Sequence, residues 1–244
     1  MARIAIVGGH GKVAQQLIEQ LTAQGDSPVA LVRKQEYEAE LVALGAETQL
    51  VDIESDGEDA FARAFASADA VVFTAGGGAD GNKERKWTVD YAGSVKSAAG
   101  AVRAGVSRFV QVSAIAVDQP LAEDTTEVWR AYVEAKRDAD AALRASDLRW
   151  TILRPGGLTD DAGTGTVTLG ATVERAQIPR ADVAALIVAV LADDRTVGQQ
   201  WRSSAVTSRS PRRSTQPSPE RSRPPAQRGA IRSAPSIRIV SPLR

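Results

Sequence analysis

Two side chains with complementary chemistry lie one helical turn apart in the middle of the chain. Tyr132 and Lys136 stand in the segment YVEAK, and this spacing puts both on one face of a helix. A lysine ammonium beside a phenol favours the phenolate, so the pattern predicts a tyrosine whose pKa is lowered and which exchanges a proton near neutral pH. Ser113, at the end of a predicted strand, would hydrogen-bond the same substrate oxygen. The alternative is an aromatic residue packed on an amphipathic helix beside a solvated lysine.

The beginning of the chain predicts a turn that binds phosphate. The segment RIAIVGGHGKVA joins a β-branched apolar strand, a glycine turn and a helix. Gly8 permits the tight turn, and Gly11 lets a pyrophosphate approach the backbone at the positive end of the helix. His10, the only histidine, has no visible catalytic partner and is interpreted as a loop residue. For the whole segment, the alternative is a glycine turn that binds no ligand. The predicted cofactor contacts here are Gly8, Gly9, His10, Gly11, Lys12 and Val13.

Apolar strands alternate with helical patterns along residues 1–201. This rhythm predicts an α/β fold, a Rossmann-type doubly wound parallel sheet in a single domain. Ligands of such sheets bind beyond the carboxyl ends of the strands. Together with Lys136, the cofactor contacts predicted at those ends are Arg33, Lys34, Asp52, Ile53, Ala75, Gly76, Gly77 and Pro155.

The end of the second strand predicts which cofactor is bound. Many dinucleotide folds carry an acid there, which accepts hydrogen bonds from the ribose and favours NAD. Arg33 and Lys34 suit a 2′-phosphate instead, so NADP is expected and NAD is possible. The alternative is that both side chains are solvated charges at a strand end and contact no cofactor. Asp52 with Ile53 would hold the adenine, unless Asp52 only begins a turn or caps the next helix.

Composition excludes several classes of protein. The chain of 244 residues has no cysteine and one histidine, which excludes disulfides and thiolate chemistry and argues against a metal site. No apolar run reaches membrane-spanning length, and the first residues enter a strand directly, so a cytoplasmic protein without a membrane contact is expected. The expected partner is a small-molecule substrate, and the chain would be a monomer or homodimer.

These motifs resemble a known family. VGGHGKVA at the start, VS after the fifth strand, YxxxK, the later RPG and IPRADVA look like an atypical short-chain dehydrogenase/reductase of the compact NmrA-like, epimerase/dehydratase-like subgroup. The resemblance covers residues 1 to about 201. It departs from the family at Asp90, where many members carry an asparagine.

The resemblance implies a Rossmann fold, a bound NAD(P) and a catalytic triad of Ser113, Tyr132 and Lys136. The expected activity is hydride transfer to or from a small carbonyl or hydroxyl compound. Two alternatives stay open, namely an NAD(P)H redox sensor without turnover and an epimerase or dehydratase of nucleotide-sugar type.

Residues 202–244 differ sharply from the rest of the chain. The net charge is −9 over residues 1–200 and +9 over residues 201–244, where arginine, serine and proline dominate. This composition predicts a disordered tail. Nucleic acid is an expected ligand only through these arginines. We also consider a frameshift near Trp201, which would cost the sheet an edge strand and leave the apolar helix over residues 182–191 without cover.

Overall fold

A mainly parallel sheet forms the centre of the molecule. The structure, a computed structural model, describes residues 1–78, 80–206 and 237–240. The strands are β1 Arg3–Val7, β2 Ser27–Val32, β3 Glu47–Leu50, β4 Ala70–Phe73, β5 Arg108–Val112, β6 Arg149–Pro155, β7 Gly157–Thr159, β8 Thr166–Gly170, β9 Gln177–Pro179, β10 Gln199–Ala205 and β11 Arg238–Val240. The α-helices are α1 Lys12–Ala23, α2 Glu38–Ala43, α3 Glu58–Ala64, α4 Gly93–Arg103, α5 Glu127–Arg144 and α6 Arg180–Leu191.

The strand order confirms the predicted fold. Nine strands follow one another as β11-β8-β10-β6-β5-β4-β1-β2-β3, while β7 and β9 pair separately. Every neighbouring pair in the large sheet is parallel except β8 with β10. The first six strands therefore have the Rossmann order, with the carboxyl ends of the central strands at one edge.

Helices cover both faces of the sheet, so the inner strands are apolar on both sides. Alternate residues point to opposite faces, with Ile4 and Ile6 on one and Ala5 and Val7 on the other. The first face packs against α1 and α6, and the second packs against α3, α4 and α5. This two-sided burial is why the sequence shows continuous apolar runs rather than alternation.

The helical stretch between β4 and β5 consists of two parts. Lys86–Ala92 forms a π-helix, and α4 continues it directly from Gly93. A π-helix is rare and is found frequently at functional sites. The next helix, α5, is capped at its start by Thr126, whose side chain accepts a hydrogen bond from the backbone of Trp129 at 3.3 Å.

The C-terminal side of the sheet extends past residue 201, where the sequence predicts that the folded domain ends. Strand β10 runs on to Ala205 and lies between β6 and β8, so no strand is lost at this position. Ser203 and Ser204 are buried, although serine residues suggest an exposed segment. The reason is that β10 is an inner strand, hydrogen-bonded to β6 on one side and to β8 on the other. Residues 238–240 add β11 beside β8. The rest of the predicted tail, 207–236 and 241–244, lies outside the described residues, so disorder, nucleic-acid binding and a frameshift stay predictions.

Helix α6 is covered in the described structure, whereas an uncovered helix over residues 182–191 is expected only as a consequence of a frameshift. Val183, Leu186 and Ile187 have no exposed surface. The helix packs against α1, where the Gln20 side-chain amide donates to the carbonyl of Ala181 at 3.1 Å.

Replacing Asp182 with alanine should destabilise the fold. This buried carboxylate at the start of α6 accepts hydrogen bonds from the backbone of Thr164 at 2.9 Å, from its hydroxyl at 2.7 Å and from the backbone of Gly165 at 2.9 Å. Losing a charged acceptor of three hydrogen bonds, whose donors are partly exposed, costs about 1.5–3 kcal/mol. Urea unfolding measures the loss. Asp161→Ala, at an exposed neighbour, should change the free energy of unfolding by less than about 0.5 kcal/mol, and equal effects of both changes would contradict the prediction.

Candidate functional site

Two adjoining cavities form a cleft along the carboxyl ends of the central strands. The first, the β2 cavity, has a volume of about 360 Å³ and lies beside the glycine turn and the end of β2. The second, the α5 cavity, has a volume of about 550 Å³ and lies between the loop after β4 and helix α5. Both are lined by Thr74, Ala75 and Gly76, so an elongated ligand can extend from one into the other.

The glycine turn forms as predicted and is suited to an anion. Gly8 has a φ of +83°, a conformation that favours glycine, and its carbonyl accepts from the backbone of Gly11 at 2.8 Å. Helix α1 begins with Gly11 as its N-cap, and no side chain caps its first turn. The free N–H groups and the helix dipole therefore face the cleft at a point where a pyrophosphate fits.

Arg33 and Lys34 are placed differently. Arg33 is exposed, lines the β2 cavity and makes no ion pair with any residue that the structure describes. The Lys34 ammonium lies 2.8 Å from Glu36 and 5.8 Å from the ring centre of Tyr37. Glu36 raises the pKa of Lys34 through this hydrogen bond and its charge. Arg33 is therefore the cation that remains available to a ligand.

His10 has partners that the sequence does not reveal. Its ring stacks on Tyr37 with 3.7 Å between ring centres and 3° between planes, and its Nε2 lies 3.0 Å from Glu40. Both rings line the β2 cavity. The stack forms a flat wall, which is better suited to contact with the flat ring of a nucleobase than to proton transfer.

The remaining predicted contacts divide into those that line the cleft and those that do not. Asp52 and Ile53 line the β2 cavity, although Asp52 also accepts a hydrogen bond from the backbone of Glu54 at 2.9 Å and so begins a turn, as the alternative held. Predicted residues lining the α5 cavity are Val13, Ala75, Gly76, Gly77, Ser113, Tyr132 and Lys136. Outside both cavities lie Gly9, Lys12, Lys34 and Pro155.

Those outside the cleft are held by other contacts. Gly9 packs against β2, since a Cβ there would come within 2.6 Å of the Ala30 Cβ. The Lys12 ammonium pairs with Asp160 at 2.5 Å. Pro155 lines a neighbouring cavity of about 170 Å³ on the other side of Tyr132.

Lys136 is buried and paired with Asp90. Its ammonium lies 3.1 Å from the Asp90 carboxylate and donates to the carbonyls of Ala75 at 3.2 Å and Val112 at 3.3 Å. The other Asp90 oxygen accepts from the backbone of Gly77 at 2.8 Å. Burial lowers the pKa of Lys136, but Asp90, with help from Tyr132 and Asp140, raises it by more, so this lysine is held as an ammonium.

The expectation of a lowered tyrosine pKa is wrong. Burial raises the pKa of Tyr132, and the Lys136 ammonium lowers it by less. Asp90 and Asp140 add to the increase. The physical reason is that burial disfavours the phenolate more than the Lys136 ammonium favours it, and the Asp90 carboxylate further offsets the lysine charge. Tyr132 is therefore a protonated phenol at neutral pH and is suited to giving a proton rather than taking one.

Ser113 is engaged by a buried acid. Its hydroxyl donates to Asp140 at 2.9 Å, and Asp140 is paired with Arg154 at 2.8 Å. Asp140 has no exposed surface and lies one turn beyond Lys136 on the same helix face. Sequence reasoning missed Asp140, although its spacing of four from Lys136 is a signal that it shares that face. Ser113 thus presents oxygen lone pairs to the cleft while its hydrogen is directed away.

Comparison with known proteins now identifies the family. The model of a family described as NAD(P)H-binding matches residues 8–194, which include the glycine turn, Lys136 and most of the sheet. The chain belongs to this NAD(P)H-binding family. The resemblance to atypical short-chain dehydrogenases/reductases is confirmed, and binding of NAD(P) follows from it.

Relatives of this NAD(P)H-binding protein carry different names. The uncharacterised sugar epimerase YhfK of Bacillus subtilis is 37% identical over 195 residues, which cover 80% of this chain and 90% of that protein. A structure from Bacillus halodurans, named provisionally as an NAD-dependent epimerase/dehydratase, has 35% identity and a TM-score of 0.77 over 83% of this chain and 94% of that one. The reductase ChuY of Escherichia coli O157:H7 has 27% identity and a TM-score of 0.69, covering 82% and 96%.

Within residues 1–78, 80–206 and 237–240, no helix has the length and apolarity that crossing a membrane requires.

Replacing Asp90 with asparagine should lower the pKa of Tyr132. The carboxylate raises that pKa through its charge, so its removal leaves the effect of Lys136 less opposed. Tyrosinate absorbance, followed against pH and corrected with Tyr132→Phe, measures the midpoint. Asp80→Asn, at an exposed acid paired with Arg85, serves as the control and should leave the midpoint unchanged. A midpoint that stays constant or rises in Asp90→Asn would show that Asp90 does not control Tyr132.

Proposed function

We propose that this protein is an NADP-dependent oxidoreductase that transfers hydride to or from a small carbonyl or hydroxyl compound. The observation that carries the proposal is the position of Tyr132 and Lys136 in a cavity that adjoins the glycine turn. A dinucleotide bound along the cleft would reach from Arg33 to Tyr132. The family supports the cofactor, and the reductase and epimerase names of relatives support redox chemistry at this site.

The nicotinamide of a bound cofactor would supply or accept the hydride. Tyr132 would act as the acid, giving its proton to the oxygen of a carbonyl as that oxygen gains negative charge. Lys136, held by Asp90 and two backbone carbonyls, would stabilise that charge and fix the position of the ribose. Ser113, whose hydroxyl donates to Asp140, would accept a hydrogen bond from the hydroxyl group of the alcohol and thereby orient it.

The raised pKa of Tyr132 favours reduction over oxidation. Reduction of a carbonyl needs a proton donor, and a phenol with a raised pKa is protonated over the whole neutral range. Oxidation of an alcohol needs the phenolate as base, which becomes abundant only in alkaline solution.

Arg33→Ala should weaken binding of NADPH and leave NADH almost unaffected. The arginine has no other partner among the described residues, and one charge-assisted contact with a phosphate contributes about 1.5–3 kcal/mol, or roughly 10- to 100-fold in affinity. Titration with each nucleotide, followed by nicotinamide fluorescence, measures this change. Lys34→Ala is the matched control, and its affinity for NADPH should fall by less than about threefold, because Glu36 already pairs with Lys34. If the mutant kept its preference for NADPH, Arg33 would not be the recognition residue.

Tyr132→Phe should abolish turnover while NADPH still binds. Loss of a general acid costs about 10²- to 10⁴-fold in rate. A panel of small aldehydes and ketones with NADPH, followed by nicotinamide absorbance, provides the assay. Tyr91→Phe, which removes a hydroxyl from a residue that does not line the α5 cavity, should keep activity within about twofold. Full activity of Tyr132→Phe would refute the catalytic assignment.

The names of two relatives favour a second candidate, an epimerase or dehydratase that keeps its cofactor through the cycle. The same assay separates the two, since an epimerase turns over without net consumption of NADPH. Tight NADPH binding without turnover of any compound would favour a sensor.

A further inference from the structure

Lys86 is a buried cation that the proposed hydride transfer does not use. It opens the π-helix, lines the α5 cavity with Tyr132 and Lys136, and is only 3% exposed. Among the described residues, the one hydrogen bond of its ammonium goes to the neutral backbone carbonyl of Gly78. A buried charge without a counter-ion is costly, and lysine is rarely buried unless it is paired.

The nearby carboxylates are occupied by other cations. Asp90, one turn along the π-helix, pairs with Lys136 at 3.1 Å. Asp80 pairs with Arg85 at 3.0 Å, and Lys86 influences it only through longer-range attraction, which contributes to the lowered pKa of Asp80. Two ammonium groups therefore share one carboxylate among the residues described as lining the α5 cavity, which leaves one positive charge unbalanced.

The rest of the cavity wall away from the cofactor turn is mainly apolar. Val128, Trp129 and Leu158 line it together with Thr126, and the Trp129 ring packs against Tyr132 with 5.1 Å between ring centres and 34° between planes. An apolar wall with a planar aromatic side chain suits a flat or hydrocarbon body, and a single ammonium beside it suits one negative charge.

We propose that the substrate is a carbonyl compound with an apolar body and a carboxylate, and that Lys86 binds that carboxylate. The inference rests on the proposed function, because it assigns the substrate class of the same cleft. One ammonium balances a carboxylate but not a phosphate, which carries up to two charges and requires more donors. The cofactor phosphates have their own position at the start of α1, beside the β2 cavity that Lys86 does not line.

The test compares 2-naphthoate with 2-naphthamide, two probes of the same shape that differ in charge. Calorimetric titration of the full chain, with and without NADPH, should show that naphthoate binds at least about tenfold more tightly than naphthamide. Lys86→Met should remove this preference, and Lys86→Arg, which keeps the charge, should retain most of it. The matched control is Lys83→Met, at an exposed lysine of the same segment that pairs with Glu127, and it should behave as wild type. NADPH affinity should stay within about twofold in every variant.

Three results would overturn the inference: equal binding of both probes by wild type, no binding of naphthoate, or a preference that survives Lys86→Met. Weakened NADPH binding in Lys86→Met, with naphthoate unaffected, would assign this lysine to the cofactor instead. Failure of wild type to bind NADPH would refute the proposed function alone, since the titrations without cofactor test the carboxylate site separately.

Discussion

The buried ion pair between Lys136 and Asp90 is the interaction on which the rest of the site depends. Asp90 also accepts a hydrogen bond from the backbone N–H of Gly77, and Lys136 also donates hydrogen bonds to the carbonyls of Ala75 and Val112. Four segments are thereby tied together: the loop after β4, the end of β5, the π-helix and α5. Removing either partner would leave an uncompensated charge in the core, which is far more costly than losing a surface ion pair.

This pair determines the chemistry as well as the geometry. Burial is the main cause of the raised pKa of Tyr132, and the Asp90 carboxylate, which an asparagine would not replace in charge, adds to it by offsetting the Lys136 ammonium. A second buried pair, Asp140 with Arg154, lies one turn further along α5 and holds Ser113. Lys136 and Asp140, one turn apart on α5, are thus each held by a charged partner from another element.

The fold was largely predictable from the sequence because its strands are buried on both faces. Continuous apolar runs at Ile4–Val7 and Ala70–Phe73 have no other good interpretation in a chain of alternating elements. The second half of β10 was not predictable, since Ser203 and Ser204 are buried by strands distant in sequence. Periodicity also does not separate a π-helix from an α-helix over the seven residues that begin at Lys86.

The site was predictable in its residue types but not in its charges. In the folded chain, the glycine turn, Tyr132 and Lys136 all lie along one cleft. The pKa of Tyr132 is raised rather than lowered, because burial outweighs the effect of Lys136 and a carboxylate 42 positions earlier adds to the increase. The different environments of Arg33 and Lys34 were likewise not predictable, because these residues are adjacent in sequence and only the folded chain gives them different neighbours.

The position of β10 also constrains how the protein folds. Strand β6 pairs with β5 on one side and with β10 on the other, although β10 begins 44 residues after β6 ends. Loop closure over that distance must precede any gain from the pairing, so this side of the sheet forms late. During synthesis, the first six strands would emerge and associate while one edge of β6 still has unpaired backbone groups. Until Gln199–Ala205 has left the ribosome, this edge of β6 is therefore open to pairing with a strand of another chain.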